Sequence, residues 1–304
     1  MRTAISKTIH DGDCLYLSGF THLIPFAAGH EIIRQGFEDL TLARATPDLV
    51  YDRMIAAGCV KKVLFSWAGN PGVGSLHAFR RAVEDGVPNE IRTEEYTHSA
   101  TAARLRAGAH GLPFLPVRTF EGSTLPEHND TIRKIDNPYG DDRIYVVPPL
   151  EPDVSVVRAQ RADREGNAHL WGITGEIPDA AYAADRVVLA VEELVDESVI
   201  ASDPNRTRIP GHLVDYVVEE PYGAHPSYAQ GYYNRDNEAY QAWENASATH
   251  ERLLEWLDEW VYAVDDHTEY LEKLGVGRLQ SLEPEATYTA PANVGAYTGG
   301  TTHD

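Results

Sequence analysis

The sequence predicts an α/β fold in which a mostly parallel open sheet carries helices on both faces. Short apolar segments alternate with helical segments between residues 14 and 109, which is the pattern of successive βαβ units. A run of five apolar residues, 187–191, has the composition of a strand buried on both faces. A chain of 304 residues is long enough to bury a large core around such a sheet.

Glycine and proline residues set the boundaries of the first elements. Gly36 and Gly58 stand where helices should end, and Pro25 and Pro47 stand where helices should begin. The predicted strands are 14–17, 40–45, 60–67 and 91–97, and the predicted helices are 26–35, 47–57, 75–84 and 98–109. Strands are also expected at 144–147 and 154–160, followed by a turn at 161–167 and a short helix at 180–184.

Two irregular regions interrupt this pattern. Residues 112–142 are rich in Pro, Gly, Asn and charged side chains, and we interpret them as a functional or partner-contacting excursion. Residues 221–243 carry five tyrosines and are expected to form an aromatic patch under a loop or at a contact between subunits.

The C-terminal part is predicted to form one long helix and a tail. Apolar residues recur at three- and four-residue spacing from about 245 to 273. The following residues lack any period and are rich in Thr, Ala, Pro and Gly. We therefore expect a single domain over 1–275 and a mobile tail over 276–304.

The charge of the chain argues against one class of partner. A net charge of −21 disfavours nucleic acid, which is bound through clustered Lys and Arg. Only five of the 26 basic residues are lysines, and such an acidic surface is typical of a protein adapted to high salt. The sequence contains no apolar run long enough to span a membrane, no signal-peptide pattern and only two cysteines, which favours a cytoplasmic protein.

Two glycine-containing turns follow predicted strands. Ser18-Gly19-Phe20 ends the first strand, and the segment Trp67-Ala68-Gly69-Asn70-Pro71-Gly72-Val73-Gly74 lies between the third strand and its helix. Such turns can present backbone N–H groups to an anion or to a developing oxyanion. The alternative is that the glycines only shape tight turns.

Four segments together resemble the A subunits of the glutaconate group of class I CoA-transferases. They are Asp11-Gly12 with Ser18-Gly19-Phe20, the stretch 65–74, Gln160-Arg161-Ala162-Asp163 with Gly166-Asn167, and Val187 to Val195. The resemblance covers about residues 8–243 and implies a CoA-transferase-like fold. Ser18 and Leu23 depart from the glycines that family members often have.

The resemblance implies transfer of CoA between carboxylic acids through acyl-enzyme intermediates. Acyl-CoA would then be a substrate, and no cofactor would be bound permanently. The Ser-Glu-Asn-Gly motif that carries the nucleophilic glutamate in related transferases is absent here. Because the glutaconate enzymes place that residue on a B subunit, the chain is expected to need a B-subunit partner for activity.

Candidate site residues follow from the two turns and from strand ends. Gly19, Phe20, Gly69 and Asn70, with Gly72 and Gly74, are expected to contact the acyl group or CoA.

Acid–base groups are expected where the fourth strand meets its helix. Glu94 and Glu95 stand there, on opposite faces of the strand, and we favour Glu95 over Glu94 as a base. His98 could assist proton transfer, and His22 could donate a hydrogen bond to a substrate carbonyl. Glu192 and Glu193 are expected to be solvated, and the histidine spacing predicts no metal site.

Two other functions share this fold. In the first, Glu95 acts as the base of a CoA-thioester ring-opening hydrolase, as the resemblance to steroid-degrading enzymes of this group implies. In the second, the chain is non-catalytic and contributes only interface and pocket walls to a larger assembly. A glutamate at the start of a helix can also simply interact with the helix dipole.

Overall fold

A computed structural model describes residues 1–284 of the chain. Its first part alternates helices and strands as the sequence predicts, and an N-terminal helix that the sequence pattern did not indicate precedes the first strand. These elements are α1 (Arg2–Thr8), β1 (Cys14–Leu17), α2 (Phe26–Gln35), β2 (Leu40–Ala43), α3 (Leu49–Ala56), β3 (Val60–Phe65), α4 (His77–Glu84), β4 (Arg92–Glu95) and α5 (His98–Ala109).

The predicted excursion at 112–142 contains regular structure. It supplies β5 (Leu115–Val117), α6 (Leu125–His128) and β6 (Arg133–Asp136), and β7 (Arg143–Val147) follows it. The three strands form a separate antiparallel sheet in the order β5-β7-β6. The three- and four-residue strands are too short for an alternating pattern to show through the surrounding Pro and Asn residues.

The chain then returns to the main sheet. The elements are β8 (Val154–Ala162), β9 (Ala168–His169), α7 (Ile177–Ala183), β10 (Arg186–Leu194), α8 (Glu197–Ala201), β11 (Thr207–Ile209) and β12 (Tyr216–Glu219). Two single turns of 3-10 helix flank β11, at Pro204–Arg206 and Gly211–Leu213.

The C-terminal region differs from the single helix expected at about 245–273. It contains α9 (Asn237–Ala246), α10 (His250–Leu257), a π-helical turn (Asp258–Tyr262), α11 (His267–Leu274) and α12 (Val276–Ser281). Thr249 and Asp266 accept hydrogen bonds from the backbone as N-caps, so each begins a new helix. The apolar spacing continues across these breaks. The expected tail is helical in its first residues, and its remainder, 285–304, lies outside the described residues.

The main sheet is mostly parallel and open, as predicted. Parallel strands follow the order β12-β10-β8-β1-β2-β3-β4, and only the short β9 and β11 pair antiparallel, beyond the end of β8. The strand β1 therefore lies in the middle of the sheet, and β4 lies at its edge.

Helices cover both faces of the sheet. One face packs against α2, α3 and the C-terminal helices, whose Trp243, Leu253 and Leu257 join the same core as Leu15 and Val63. The other face packs against α5 and α7. Within residues 1–284, no helix has the length and apolar character needed to cross a membrane.

Candidate functional site

A cavity of about 400 Å³ opens at the carboxyl ends of β1 and β2. In parallel sheets this edge is where ligands bind, because strand ends and helix N-termini meet there. The cavity combines the turn after β1, the first turns of α5 and the start of α7. Its lining residues are Tyr16, Gly19, Phe20, Ala45, Thr46, His98, Ser99, Ala102, Arg106, Gly175, Glu176 and Asp179.

The turn after β1 follows a backbone path that requires glycine. Gly19 has φ +105°, and a Cβ added there would lie 2.7 Å from the His22 carbonyl oxygen and 2.7 Å from the Ile24 side chain. Buried Arg44 fixes the end of the strand by donating to the Leu17 and Ser18 carbonyls at 3.2 and 3.0 Å. This turn places Phe20 on the cavity wall with its side chain 41% exposed.

The N-terminus of α5 forms the opposite wall. Thr97 caps the helix, its Oγ1 accepting a hydrogen bond from the Ala100 amide at 3.3 Å. His98 and Ser99, the first helical residues, line the cavity. The helix dipole gives this wall a positive potential that favours an anion.

Glu176 is a site residue that sequence reasoning missed. It precedes α7 and accepts a hydrogen bond from the Ala45 amide at 3.4 Å. Burial raises the pKa of the Glu176 carboxyl to about 7, so both of its protonation states are populated near neutral pH. Pro178 signals a helix start in the sequence, but the burial of Glu176 depends on tertiary packing.

Arg106 and Asp179 add a pair of charges to the cavity. Their Nη2 and Oδ2 atoms are 3.3 Å apart, and the Arg106 side chain is mostly exposed. Arg106 is the only Lys or Arg among the described lining residues.

His22 does not line the cavity, which corrects its predicted role toward a substrate carbonyl. Its ring is fully buried, with Nδ1 3.2 Å from the Ile173 carbonyl oxygen. The Gln230 amide donates to Nε2 at 3.0 Å, which leaves Nδ1 as the donor. Burial lowers the pKa of His22 to about 4, so the ring is neutral at physiological pH and ties the turn to the tyrosine-rich region.

The backbone amides of the turn after β3 form hydrogen bonds within the chain. The amides of Gly69, Asn70 and Gly74 donate to the carbonyls of Pro47, Gly74 and Asn70 at 3.3, 2.9 and 3.1 Å. The Asn70 side chain is buried and donates to the Tyr240 carbonyl at 2.9 Å. The expectation that these amides serve as free donors is therefore wrong in this conformation of the chain.

Gly72 stands apart from the rest of that turn. It has φ +77°, it is exposed at the tip, and no atom of the described residues lies within 4 Å of an added Cβ. None of Gly69, Asn70, Gly72 and Gly74 lines the cavity of Gly19.

The two glutamates of β4 point to opposite faces, as predicted, but neither lines the cavity. Glu94 forms ion pairs with Lys62 and with Arg104, the latter at 3.0 Å, and accepts a hydrogen bond from Tyr96. Although burial opposes the charge, these partners lower the pKa of Glu94. Glu95 is exposed, on the face that also carries Phe65, whereas Glu94 is half-buried.

Glu192 is buried rather than solvated. Arg158 donates to it through Nε at 3.1 Å, and the Tyr233 hydroxyl donates at 2.7 Å. Its neighbour Glu193 is exposed, as expected, and accepts from Tyr232. Among residues 1–284, no group of three His, Cys, Asp or Glu side chains is arranged to hold a metal ion.

Comparison with known proteins gives a consistent result. The family model described as Coenzyme A transferase matches residues 1–220. The A subunit of the 3-oxoadipate CoA-transferase of Pseudomonas knackmussii is 48% identical over 278 residues, which are 91% of this chain and 98% of that protein.

Two further relatives are more distant. The A subunit of the glutaconate CoA-transferase of Acidaminococcus fermentans is 35% identical over 93% of each chain. The crystal structure of that enzyme superposes with a TM-score of 0.89, covering 93% of this chain and 94% of the matched chain. The cholesterol ring-cleaving hydrolase IpdA subunit of Mycobacterium tuberculosis is 29% identical over 74% of this chain and 79% of its own length.

Proposed function

This chain belongs to the coenzyme A transferase family, and we propose that it is the A subunit of a heteromeric enzyme that moves CoA between carboxylic acids. The observation that carries the proposal is its 48% identity with the A subunit of a transferase, over 98% of that protein. The cavity beside Gly19 is this chain's share of the acyl-CoA site.

The chemistry requires a carboxylate nucleophile. In the transfer, an enzyme carboxylate attacks the thioester carbonyl and expels the CoA thiolate, which leaves an acyl-enzyme anhydride. The thiolate then attacks the enzyme's own carbonyl and releases the first carboxylic acid. The resulting enzyme–CoA thioester reacts with the second acid by the reverse sequence.

The carboxylates of this chain suit that role poorly. Glu94 is held in ion pairs, Glu95 lies away from the cavity, and a pKa of about 7 keeps Glu176 partly protonated at neutral pH. We therefore assign the nucleophile to a B-subunit partner. The contribution of this chain is then to bind and orient the acyl group.

The walls of the cavity suit that contribution. The N-terminus of α5 favours the negative charge that develops on the thioester oxygen during attack. Protonated Glu176 can donate a hydrogen bond to an acyl oxygen, and Phe20 supplies an apolar surface.

We propose that the acyl group carries a second carboxylate. The two CoA-transferase relatives are named for 3-oxoadipate and glutaconate, both of which are dicarboxylates. Arg106 is the cation that lines the cavity and would bind the distal carboxylate in place of Asp179. Replacing Arg106 with Gln should raise the KM of a dicarboxylic acceptor about tenfold and leave that of a monocarboxylic acceptor unchanged. Equal effects on both acceptors would contradict this assignment.

The proposal is tested by trapping the intermediate. The purified chain alone should show no transfer, and adding a B-subunit chain should restore it. After exposure to acyl-CoA, borohydride should inactivate the complex and mark a glutamate of the B subunit, as located by mass spectrometry. Transfer by the isolated chain, or a mark on this chain, would overturn the proposal.

A second candidate is hydrolytic ring opening of a CoA thioester. The observation in its favour is the 29% identity with a ring-cleaving hydrolase. In this case, Glu95→Ala would abolish turnover and no covalent CoA adduct would form on either chain. The exposure of Glu95 outside the cavity favours the transferase, as does the higher identity of the transferase relatives.

We also infer that the protein works in a cytoplasm of high ionic strength. The net charge of −21 and the low lysine count support this inference. Cys14 and Cys59 are both free thiols, which suits a reducing compartment.

A further inference from the structure

A second cavity, of about 510 Å³, lies between α3 and the C-terminal helices. It shares no lining residue with the cavity beside Gly19. Its walls are mainly apolar and aromatic, with Trp243, Trp256, Trp260, Tyr270 and Leu274 on several sides. A volume of this size is typical of small-molecule sites.

Arg53 supplies a positive charge to this cavity without an acidic partner. Its side chain is 2% exposed, and no carboxylate in residues 1–284 forms an ion pair with it. Its Nη1 is 2.9 Å from His30 Nε2, and its Nε has no hydrogen-bond partner among residues 1–284. The guanidinium lies 4.8 Å from the ring centre of Trp243 and 4.3 Å from that of Trp256.

The acidic residues near Arg53 in sequence are bound elsewhere. Asp48 pairs with Arg44 at 2.8 Å, and Asp52 accepts hydrogen bonds from the Trp243 indole and the Phe79 amide. Burial without an ion-pair partner lowers the pKa of Arg53 to about 10, which reflects the cost of holding this charge in an apolar site.

The other charges of the cavity are matched by partners or by solvent. Asp236 accepts hydrogen bonds from His225 Nε2 and Arg278 Nε, each at 2.9 Å, and burial lowers the pKa of His225, so that ring is neutral at physiological pH. Glu238 also pairs with Arg278 at 2.7 Å, but its side chain is 80% exposed and its charge is screened by water. Within residues 1–284, Arg53 is therefore the buried charged residue of this cavity that lacks an oppositely charged partner.

We propose that this cavity binds a small organic monocarboxylate with an aromatic body. The carboxylate would pair with the Arg53 guanidinium, and the apolar body would pack among the three tryptophans. An unpaired buried cation is costly, and an anionic ligand removes that cost. A neutral apolar ligand would fill the same space but would leave the guanidinium with only its aromatic contacts and no counter-ion.

The test uses phenylacetate and its neutral analogue phenylacetamide as probes on the assembled enzyme or the full chain. Three of the five tryptophans line the cavity, so intrinsic fluorescence reports occupancy directly. We expect phenylacetate to quench fluorescence saturably and to raise Tm. Phenylacetamide should bind about tenfold more weakly, because it cannot form the charge-assisted pair.

Two variants and one control complete the experiment. Arg53→Met should weaken phenylacetate binding about tenfold and abolish the preference over phenylacetamide. Leu274→Trp keeps the charge but fills the cavity, so it should prevent binding of both probes even if Arg53→Met fails to fold. Arg80→Met, on the exposed face of α4, should bind as the wild type does.

Several outcomes would overturn the proposal. They are the absence of saturable binding of phenylacetate to the wild type, equal affinity for the two probes, and undiminished binding by Leu274→Trp. None of these readouts depends on CoA transfer, so the result is independent of the proposed function.

Discussion

Two glycine-containing turns leave the same edge of the parallel sheet, yet the chain uses them differently. The turn at Gly19 follows the central strand β1 and lines a cavity, whereas the turn at 69–74 follows β3, next to the edge strand. The second turn is closed by its own hydrogen bonds and by α9. Within residues 1–284, of the two turns only the one at Gly19 lines the cavity at the carboxyl ends of β1 and β2.

The largest expected effect contrasts two glycines with left-handed backbones. Gly19→Ala should reduce acyl transfer by the assembled enzyme about hundredfold, because the added methyl displaces the turn that we propose positions the substrate. Gly72→Ala meets open space and should cost only about 1 kcal/mol of stability, with transfer unchanged. Urea unfolding and initial rates of transfer measure both effects. Equal losses of activity in the two variants would contradict the distinction.

The next contrast concerns two glutamates with opposite pKa shifts. The folded-state pKa of Glu176 is about 7, above its ordinary value of 4.5, so its contribution to stability is present below pH 4.5 and is lost as pH rises through 7. Glu176→Gln should therefore be more stable than the wild type well above pH 7, by about 3 kcal/mol. The difference should disappear below pH 4.5.

Glu94 should show the reverse dependence. Its pKa is lowered, so the ion pairs with Lys62 and Arg104 stabilise the fold at neutral pH and are lost as pH falls through that lowered pKa. Glu94→Gln should cost about 1–3 kcal/mol at neutral pH and nothing in strong acid. Urea titrations of both variants across pH test the pair. If the free energies of unfolding of Glu94→Gln and Glu176→Gln depended on pH in the same way, the two glutamates would not have the opposite pKa shifts described.

A smaller effect is expected for Asn70. Asn70→Ala removes the hydrogen bond to the Tyr240 carbonyl, which is a second bond to an oxygen already within α9, and should cost about 1 kcal/mol of stability. Because this side chain holds the turn and does not line the cavity, transfer should stay within about threefold of the wild type. A loss of transfer greater than this in a variant that remains folded would indicate that the turn 69–74 contributes to the acyl-CoA site.

The smallest expected effect is that of salt concentration on Tm, and it involves the charge of the whole chain. Because the net charge is −21, raising KCl to about 2 M should increase the Tm of the wild type by screening self-repulsion. The differences between Gly19→Ala and Gly72→Ala should persist in high salt, since they arise from sterics. A Tm that falls with added KCl would contradict the inferred salt adaptation.

The sequence predicted the alternating core of the fold well. The strand at Cys14–Leu17 and the helices at Phe26–Gln35 and His98–Ala109 have the predicted bounds, because apolar patterns and end signals agree there. The small sheet around β7 and the breaks in the C-terminal helices were missed. The strands of the small sheet are too short to show an alternating pattern, and the helix breaks occur at N-caps across which the apolar spacing continues.

The candidate site was predicted only in part. Gly19, Phe20 and His98 do come together, because each follows the carboxyl end of a parallel strand. Glu176 was missed because burial, which raises its pKa, arises from packing between distant segments. The burial of His22 and Glu192 likewise arises from packing between distant segments, so the sequence alone did not indicate it.

Hydrogen–deuterium exchange of the assembled enzyme, with and without acyl-CoA, tests the central claim most directly. If the cavity at β1 is the acyl-CoA site of this chain, substrate should protect residues 18–23, 98–102 and 174–179. Residues 69–74 should exchange equally in both states. Protection confined to 69–74, with no change around Gly19 and Glu176, would contradict the account.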